Sequence, residues 1–178
     1  MEIYVIRHTA PVVPPGVCYG QSDVKLSSSF PREAEAVKNR LQSLGWSPLY
    51  PVFSSPLERC IALARFLSNR RIITDERLLE LHFGAWEMKK WEEIPKIQLE
   101  KWGKDYVRQA PPGGESYRML VARVGDFMED LRNNPAPSAT LVTHAGVIRA
   151  IHVWSGITGW EESFNMPVDY GQVFKFEI

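Results

Sequence analysis

Two stretches of this sequence are built alike. Glu2-Ile3-Tyr4-Val5-Ile6 is a β-rich, mostly apolar run that stops abruptly at Arg7-His8, and Ala139-Thr140-Leu141-Val142-Thr143 stops at His144. A buried strand that ends in polar residues delivers them to the carboxyl edge of a sheet, where open α/β folds place their ligands. If the two strands are parallel neighbours, both histidines reach the same edge. That condition narrows the folds open to the chain more than any other feature of it.

The intervening sequence alternates in the way such a sheet requires. Thr9 to Ser28 is a long loop rich in Pro, Gly and small residues, and long ordered loops tend to be functional. Pro31 to Leu44 reads as a helix, with Ala34, Val37, Leu41 and Leu44 on one face and Gly45 as its C-cap. Tyr50–Phe53 is a short strand, and Ser54-Ser55-Pro56 opens a helix over Leu57–Ser68 with a hydroxyl cap. Arg71–Thr74 is a further strand. Ser116 caps the clearest helix, in which Leu120, Val121, Val124, Phe127, Met128 and Leu131 keep helical spacing. After His144, Ala145-Gly146 lead into a helix over Val147–Trp154, and Gln172–Ile178 closes the chain as an edge strand. Strands alternating with helices predict an α/β three-layer sandwich, with a mainly parallel sheet and helices on both faces. Residues 75–112 break the rhythm, mixing Trp86, Trp91, Trp102 and Tyr106 with many charges. They read as a small, partly helical cap inserted in a single domain spanning 1–178.

Composition excludes several classes of function. At 178 residues, 44% hydrophobic and 24% charged, the chain has enough apolar material for one sizeable core. Lys+Arg and Asp+Glu both number 21, so there is no basic excess of the kind a general nucleic-acid binder shows. Cys18 and Cys60 stand in unlike contexts without a C-x-x-C pair, which reads as two reduced packing thiols in a cytoplasmic protein. Met1-Glu2 leads straight into a strand and no run is long enough to span a bilayer, so the expectation is a soluble, unexported chain. No apolar stripe declares an oligomer; a homodimer is compatible but not indicated.

Arg7, His8, His144 and Arg59, which lies at the start of the second helix, form a convergent set of cationic or potentially cationic groups. Without an anion among them such a cluster is costly to bury. Backbone amides at Ala145 and Gly146 add donors at the positive end of a helix. The ligand described is a phosphoryl group on a small molecule. His8, His144 and Glu80 are conceivable metal ligands, but two arginines beside them would repel a cation. Tyr19 and Gln21 are either loop packing or substrate contacts. His82 stands close enough in sequence to Glu80 to line the same site, whereas His152, on an apolar helix, reads as a packing residue.

Arg7-His8-Thr9, Ser55-Pro56-Leu57-Glu58-Arg59, Leu79-Glu80-Leu81-His82-Phe83-Gly84-Ala85-Trp86-Glu87, Pro112-Gly113-Gly114-Glu115-Ser116 and Thr143-His144-Ala145-Gly146 resemble, in order, the motifs of the histidine phosphatase superfamily, the fold of cofactor-dependent phosphoglycerate mutase. The resemblance implies that His8 is the nucleophile that becomes phosphohistidine. It implies that Arg7, Arg59 and His144 hold the phosphoryl oxygens. Glu80 would be the acid that protonates the leaving oxygen and then the base that activates water; the alternative is that Glu80 is a solvated turn residue and Glu76, Glu87 or Glu115 is the acid. No metal or organic cofactor is implied. The chemistry is coherent, because a neutral His attacks phosphorus without an activating base, and a carboxyl beside a phosphate dianion holds its proton more tightly. Within the superfamily, Thr9, the loop 15–24 and the short length look most like α-ribazole phosphatase, which acts in cobalamin nucleotide-loop assembly. Thr9, Pro14, Phe30, Leu63 and Met88 depart from the general pattern without removing any of these groups. Other readings are a broader phosphatase on small molecules or phosphoproteins, a phosphoglycerate mutase, and a non-catalytic phospholigand-binding protein.

Overall fold

The computed structural model describes all 178 residues. In chain order it contains β1 (Glu2–Arg7), α1 (Phe30–Ser43), β2 (Val52–Ser54), α2 (Glu58–Leu67), β3 (Ile72–Thr74), α3 (Lys96–Lys104), α4 (Tyr117–Arg132), β4 (Ser138–Thr143), α5 (Ala145–Trp154), α6 (Trp160–Asn165) and β5 (Val173–Glu177). The five strands form one sheet in the order β3-β2-β4-β1-β5. The pairs β3·β2, β2·β4 and β4·β1 are parallel, and β5 closes the edge antiparallel to β1. The fold is therefore the expected α/β sandwich.

Strand alternation sorts the core into two halves. Ile3, Val5, Ala139, Leu141 and Phe176 face α4 and α5, while Tyr4, Ile6, Val52 and Val142 face α1 and α2. Successive strand residues point to opposite faces, so both faces of the two central strands must be apolar, and Ile3 to Ile6 are all fully buried. Polar groups in this region are paired: the Trp46 indole donates to Thr140 Oγ1 at 2.8 Å, and the Tyr4 hydroxyl donates to the Leu44 carbonyl at 3.1 Å.

Several element ends differ from the sequence reading for physical reasons. α1 ends at Ser43, and Gly45 follows at φ +82°, its amide and that of Trp46 donating back to Gln42 and Leu41. This is the glycine-terminated end that the sequence led one to expect. α2 begins at Glu58, later than expected, and no side chain caps it. The Ser55 hydroxyl, read from sequence as its cap, accepts from the Leu57 amide at 3.4 Å and meets His144 Nε2 more closely, at 2.8 Å. α5 starts at Ala145, with His144 as its N-cap residue. α6 has no counterpart in the sequence reading, because six residues are too few to establish a period. Residues 75–112 hold three single 3₁₀ turns besides α3. Their aromatic residues gather around buried Cys18, Trp86 and Ile94, and Trp102 and Tyr106 meet Phe164 of α6 with ring centroids 5.9 and 4.1 Å apart. No helix is long and apolar enough to cross a membrane.

Leu141 is fully buried in the central strand. Leu141→Ala is expected to lower unfolding free energy by about 2–5 kcal/mol, the range for emptying a tightly packed leucine site. Urea denaturation checks this, with the m-value unchanged.

Candidate active site

The register of β1 on β4 sets the site. Arg7 pairs with Thr143, so the next residues, His8 and His144, leave the sheet side by side. The His8 amide continues the ladder by donating to the Thr143 carbonyl at 3.0 Å. The two rings lie 5.1 Å apart, edge to face. Both are almost wholly buried. His8 Nδ1 lies 2.7 Å from the Thr9 carbonyl oxygen. A carbonyl only accepts, so Nδ1 carries the proton and Nε2 keeps its lone pair. Burial, then Arg59 and Arg7, push the His8 pKa down to about 3, against the opposing pull of the Thr9 carbonyl. Burial, then the nearness of His8 and the charges of Arg59 and Arg7, also hold His144 well below the ordinary histidine range. Both imidazoles are thus neutral at pH 7. His144 Nε2 meets Ser55 Oγ at 2.8 Å, and the thiol of Cys60 lies 3.5 Å from the same nitrogen.

The two expected arginines flank these rings. Arg59 is fully buried, and its Nη1 and Nη2 donate to the Ser22 and Gly20 carbonyls at 2.8 and 2.6 Å. Arg7 donates to the Val168 carbonyl, with its guanidinium 3.8 Å above the ring of Tyr170. Neither arginine is ion-paired to a carboxylate within 4 Å. The Nε of each is buried with no hydrogen-bond partner. Buried, unmatched cationic donors are costly, and an anion seated among them would supply the missing acceptors.

Glu80 lies in the irregular stretch between two 3₁₀ turns, at the junction of two hollows. One, of ≈ 520 Å³, is lined by Arg7, Cys18, Tyr19, Phe83, Trp91 and Ala145 among others. The second, of ≈ 350 Å³, is more apolar, with Leu81, Tyr117, Leu120 and Phe164 in its wall. Glu80, Phe83 and Arg149 line both. The Gly146 amide, expected to face the phosphoryl group, donates instead to the two Glu80 carboxylate oxygens at 3.1 and 3.3 Å. A Cβ at position 146 would come 2.1 Å from Glu80 Oε1, so only glycine permits this approach. The other carboxylates named above are placed elsewhere. Glu115 is ion-paired to Arg123, Glu76 is exposed, and Glu87 accepts from the Gln21 amide, the Phe83 amide and the Ser22 hydroxyl.

Of the remaining expected contacts, Tyr19 lines the cleft, 5.2 Å under the Arg59 guanidinium. Gln21 turns its side chain away, donating to the Glu80 carbonyl at 2.9 Å. His82 sits beside Glu87 at 3.9 Å and lines neither hollow. His152 packs on Phe174 and Phe176, as its apolar helix suggested. Both cysteines are buried free thiols, with the Cys18 pKa pushed up to about 12 by burial and the nearby carboxylates. No three His, Cys, Asp or Glu side chains are grouped to hold a metal ion.

Two residues of the site escaped the sequence reading. Arg149 lies one helical turn beyond Ala145, a spacing that could have placed it on the same face. Tyr170, from the loop before β5, stacks on Arg7 and hydrogen-bonds to the Tyr19 hydroxyl at 2.9 Å, and no local pattern marks it.

The depressed His8 pKa makes stability pH-dependent. Between about pH 6.5 and 3 the unfolded chain binds a proton at position 8 that the native chain refuses. Stability is therefore expected to fall as pH drops from 6.5, by up to ~1.4 kcal/mol per pH unit for each refused proton. Urea unfolding between pH 7 and 5 checks the slope, which His8→Ala should reduce.

The model of the histidine phosphatase superfamily (branch 1) matches residues 3–178. Phosphoserine phosphatase 1 of Hydrogenobacter thermophilus is 26% identical over 164 residues, covering 85% of this chain and 74% of that protein. A metal-independent phosphoserine phosphatase of Arabidopsis thaliana is 28% identical over 162 residues, covering 85% of this chain and 67% of that one. The crystal structure of the α-ribazole phosphatase from Shigella flexneri matches with a TM-score of 0.87 at 23% identity, over 100% of this chain and 91% of that one, a likeness of fold. With the family model matching residues 3–178, the chain belongs to the histidine phosphatase superfamily.

Proposed function

We propose that the protein is a phosphoric monoester hydrolase that works through a phosphohistidine at His8. The observation that carries this is a neutral His8 with Nδ1 tied to the Thr9 carbonyl, beside the buried Arg59 and the half-buried Arg7, whose Nε atoms are both buried without acceptors. The ester's phosphoryl group lies among Arg7, Arg59 and His144, with the Ala145 amide at its edge. Nε2 of His8 attacks phosphorus while the bond to the leaving oxygen breaks, and Glu80 delivers a proton to that oxygen. Glu80 then takes a proton from water, whose oxygen attacks the phosphohistidine, releasing inorganic phosphate and free His8. The arginines neutralise charge on the equatorial oxygens, and no step calls on a metal.

The substrate we favour is α-ribazole 5′-phosphate. Tyr19, Phe83 and Trp91 line the cleft, which suits a flat heteroaromatic leaving group. One observation favours a second reading. Arg149 lines both hollows, with no carboxylate ion-paired to it, and donates to the Met166 carbonyl. A third cation suits a leaving group that carries a carboxylate, and two of the relatives are named for phosphoserine.

Phosphate release from α-ribazole 5′-phosphate, O-phosphoserine and p-nitrophenyl phosphate, in EDTA, tests these readings. Wild type is expected to release phosphate, and His8→Ala to lose at least ~10³-fold, as loss of a covalent nucleophile does. Transfer to a second substrate without free phosphate would indicate a mutase, and tight phosphate binding without turnover a binding protein. Arg149→Met separates the substrates. It should cost the carboxylate ester ~10–100-fold in KM, the scale of one charged hydrogen bond, if the second reading holds, and leave α-ribazole 5′-phosphate little changed if the first does.

A further inference from the structure

We propose that Arg123, ion-paired to Glu115, is a positioning residue that fixes the backbone carrying Glu80 for proton transfer. The inference rests on the role of Glu80 given above. Leu79 to Phe83 belongs to no helix or strand, so it has no ladder of its own to hold it. Its place is set from outside. Arg123, on α4, donates through Nη1 to the Arg77 carbonyl at 2.7 Å and through Nη2 to the Glu80 carbonyl at 3.0 Å. The same guanidinium pairs with Glu115, Nε to Oε2 at 3.0 Å and Nη2 to Oε1 at 2.5 Å. Glu115 in turn accepts from the His82 amide at 3.0 Å and donates its own amide to the His82 carbonyl at 2.9 Å. One ion pair thereby grips the chain before, at and after the acid.

Two further bonds complete the frame. Gln21 donates to the Glu80 carbonyl, and the Thr143 hydroxyl donates to the Leu78 carbonyl at 2.8 Å. The Thr143 bond links the acid segment to the strand that delivers His144. The pair itself is largely shielded, with side chains 21% and 11% exposed, which makes its geometry stiffer than that of a surface pair. Nε, Nη1 and Nη2 of Arg123 all donate to Glu115 or to the backbone of the Glu80 segment, so it acts through Glu80 rather than on substrate. Acid catalysis depends on placement to within about an ångström, and a misplacement of that size costs on the order of 10²-fold.

The test exploits the leaving group. p-Nitrophenolate departs without a proton, whereas the alkoxide of glycerol phosphate needs one. Wild type, Arg123→Met, Arg123→Lys, Glu115→Gln and Glu80→Gln are compared by kcat/KM on both esters, which reports the phosphoryl-transfer step. Arg123→Met is expected to lose ~10–100-fold on glycerol phosphate and less than ~3-fold on the nitrophenyl ester, with partial recovery in Arg123→Lys. Glu115→Gln preserves size and should give the same selective loss in smaller degree, which keeps the test alive if Arg123→Met does not fold. Equal losses on both esters, or no loss on either, overturn the proposal. If Glu80→Gln itself shows no dependence on leaving group, the acid role of Glu80 falls and the proposal with it. If Glu80→Gln is selective and neither Arg123→Met nor Glu115→Gln is, only the positioning role fails.

Discussion

A fully buried guanidinium with no carboxylate partner, that of Arg59, is the constraint on which the site depends. A charge in that position must be matched by dipoles, and the carbonyls of Gly20 and Ser22 supply them. That requirement draws the long loop after β1 down over the sheet edge and brings Tyr19 into the cleft wall. Burial, and then this charge with that of Arg7, suppresses protonation of His8 and His144. Two histidines can share one small volume because neither carries a proton charge of its own. The two arginine charges also leave the region short of negative charge, and the two unpartnered Nε atoms show where that shortage is felt.

The helix that follows His144 divides its work in a way that composition could not reveal. Its first amides are a natural anion site. In the structure the Gly146 amide is spent on the Glu80 carboxylate, and the missing side chain at 146 makes room for it. Glu80 is thus held at both ends, its carboxylate by the Gly146 and Leu81 amides and its backbone by the Arg123–Glu115 pair and Gln21. The carbonyls and amides of an irregular segment need partners from elsewhere, and here those partners also define its position. Gln21, read from sequence as a candidate substrate contact, belongs to this frame.

Fold and family were legible because they rest on local signals. The apolar runs of β1 and β4, the helical spacing of α4 and the glycine after α1 each follow from backbone sterics and burial periodicity. Arg7, His8, Arg59 and His144 could be placed together from sequence because three of them sit at strand ends and the fourth near a helix start. Residues whose partners are remote in the chain were not legible. Ser55 reads from sequence only as a helix cap, yet its hydroxyl, besides accepting from the Leu57 amide, meets His144, 89 residues away. Tyr170 reaches Arg7 and Tyr19 through a loop with no periodic pattern. His82 stood two residues from Glu80 in sequence, yet the irregular backbone turns it toward Glu87.

The sequence by itself determined the alternation of strand and helix, the two-sided apolar sheet and the motifs that name the family, since each depends on neighbours a few residues apart. Tertiary structure decided which carboxylate stands at the cleft, which amide receives it, which nitrogen of His8 keeps its lone pair and which loop covers Arg7. Those outcomes turn on hydrogen bonds between segments dozens of residues apart. A donor's choice among several acceptors is made only when packing brings one of them within about 3 Å.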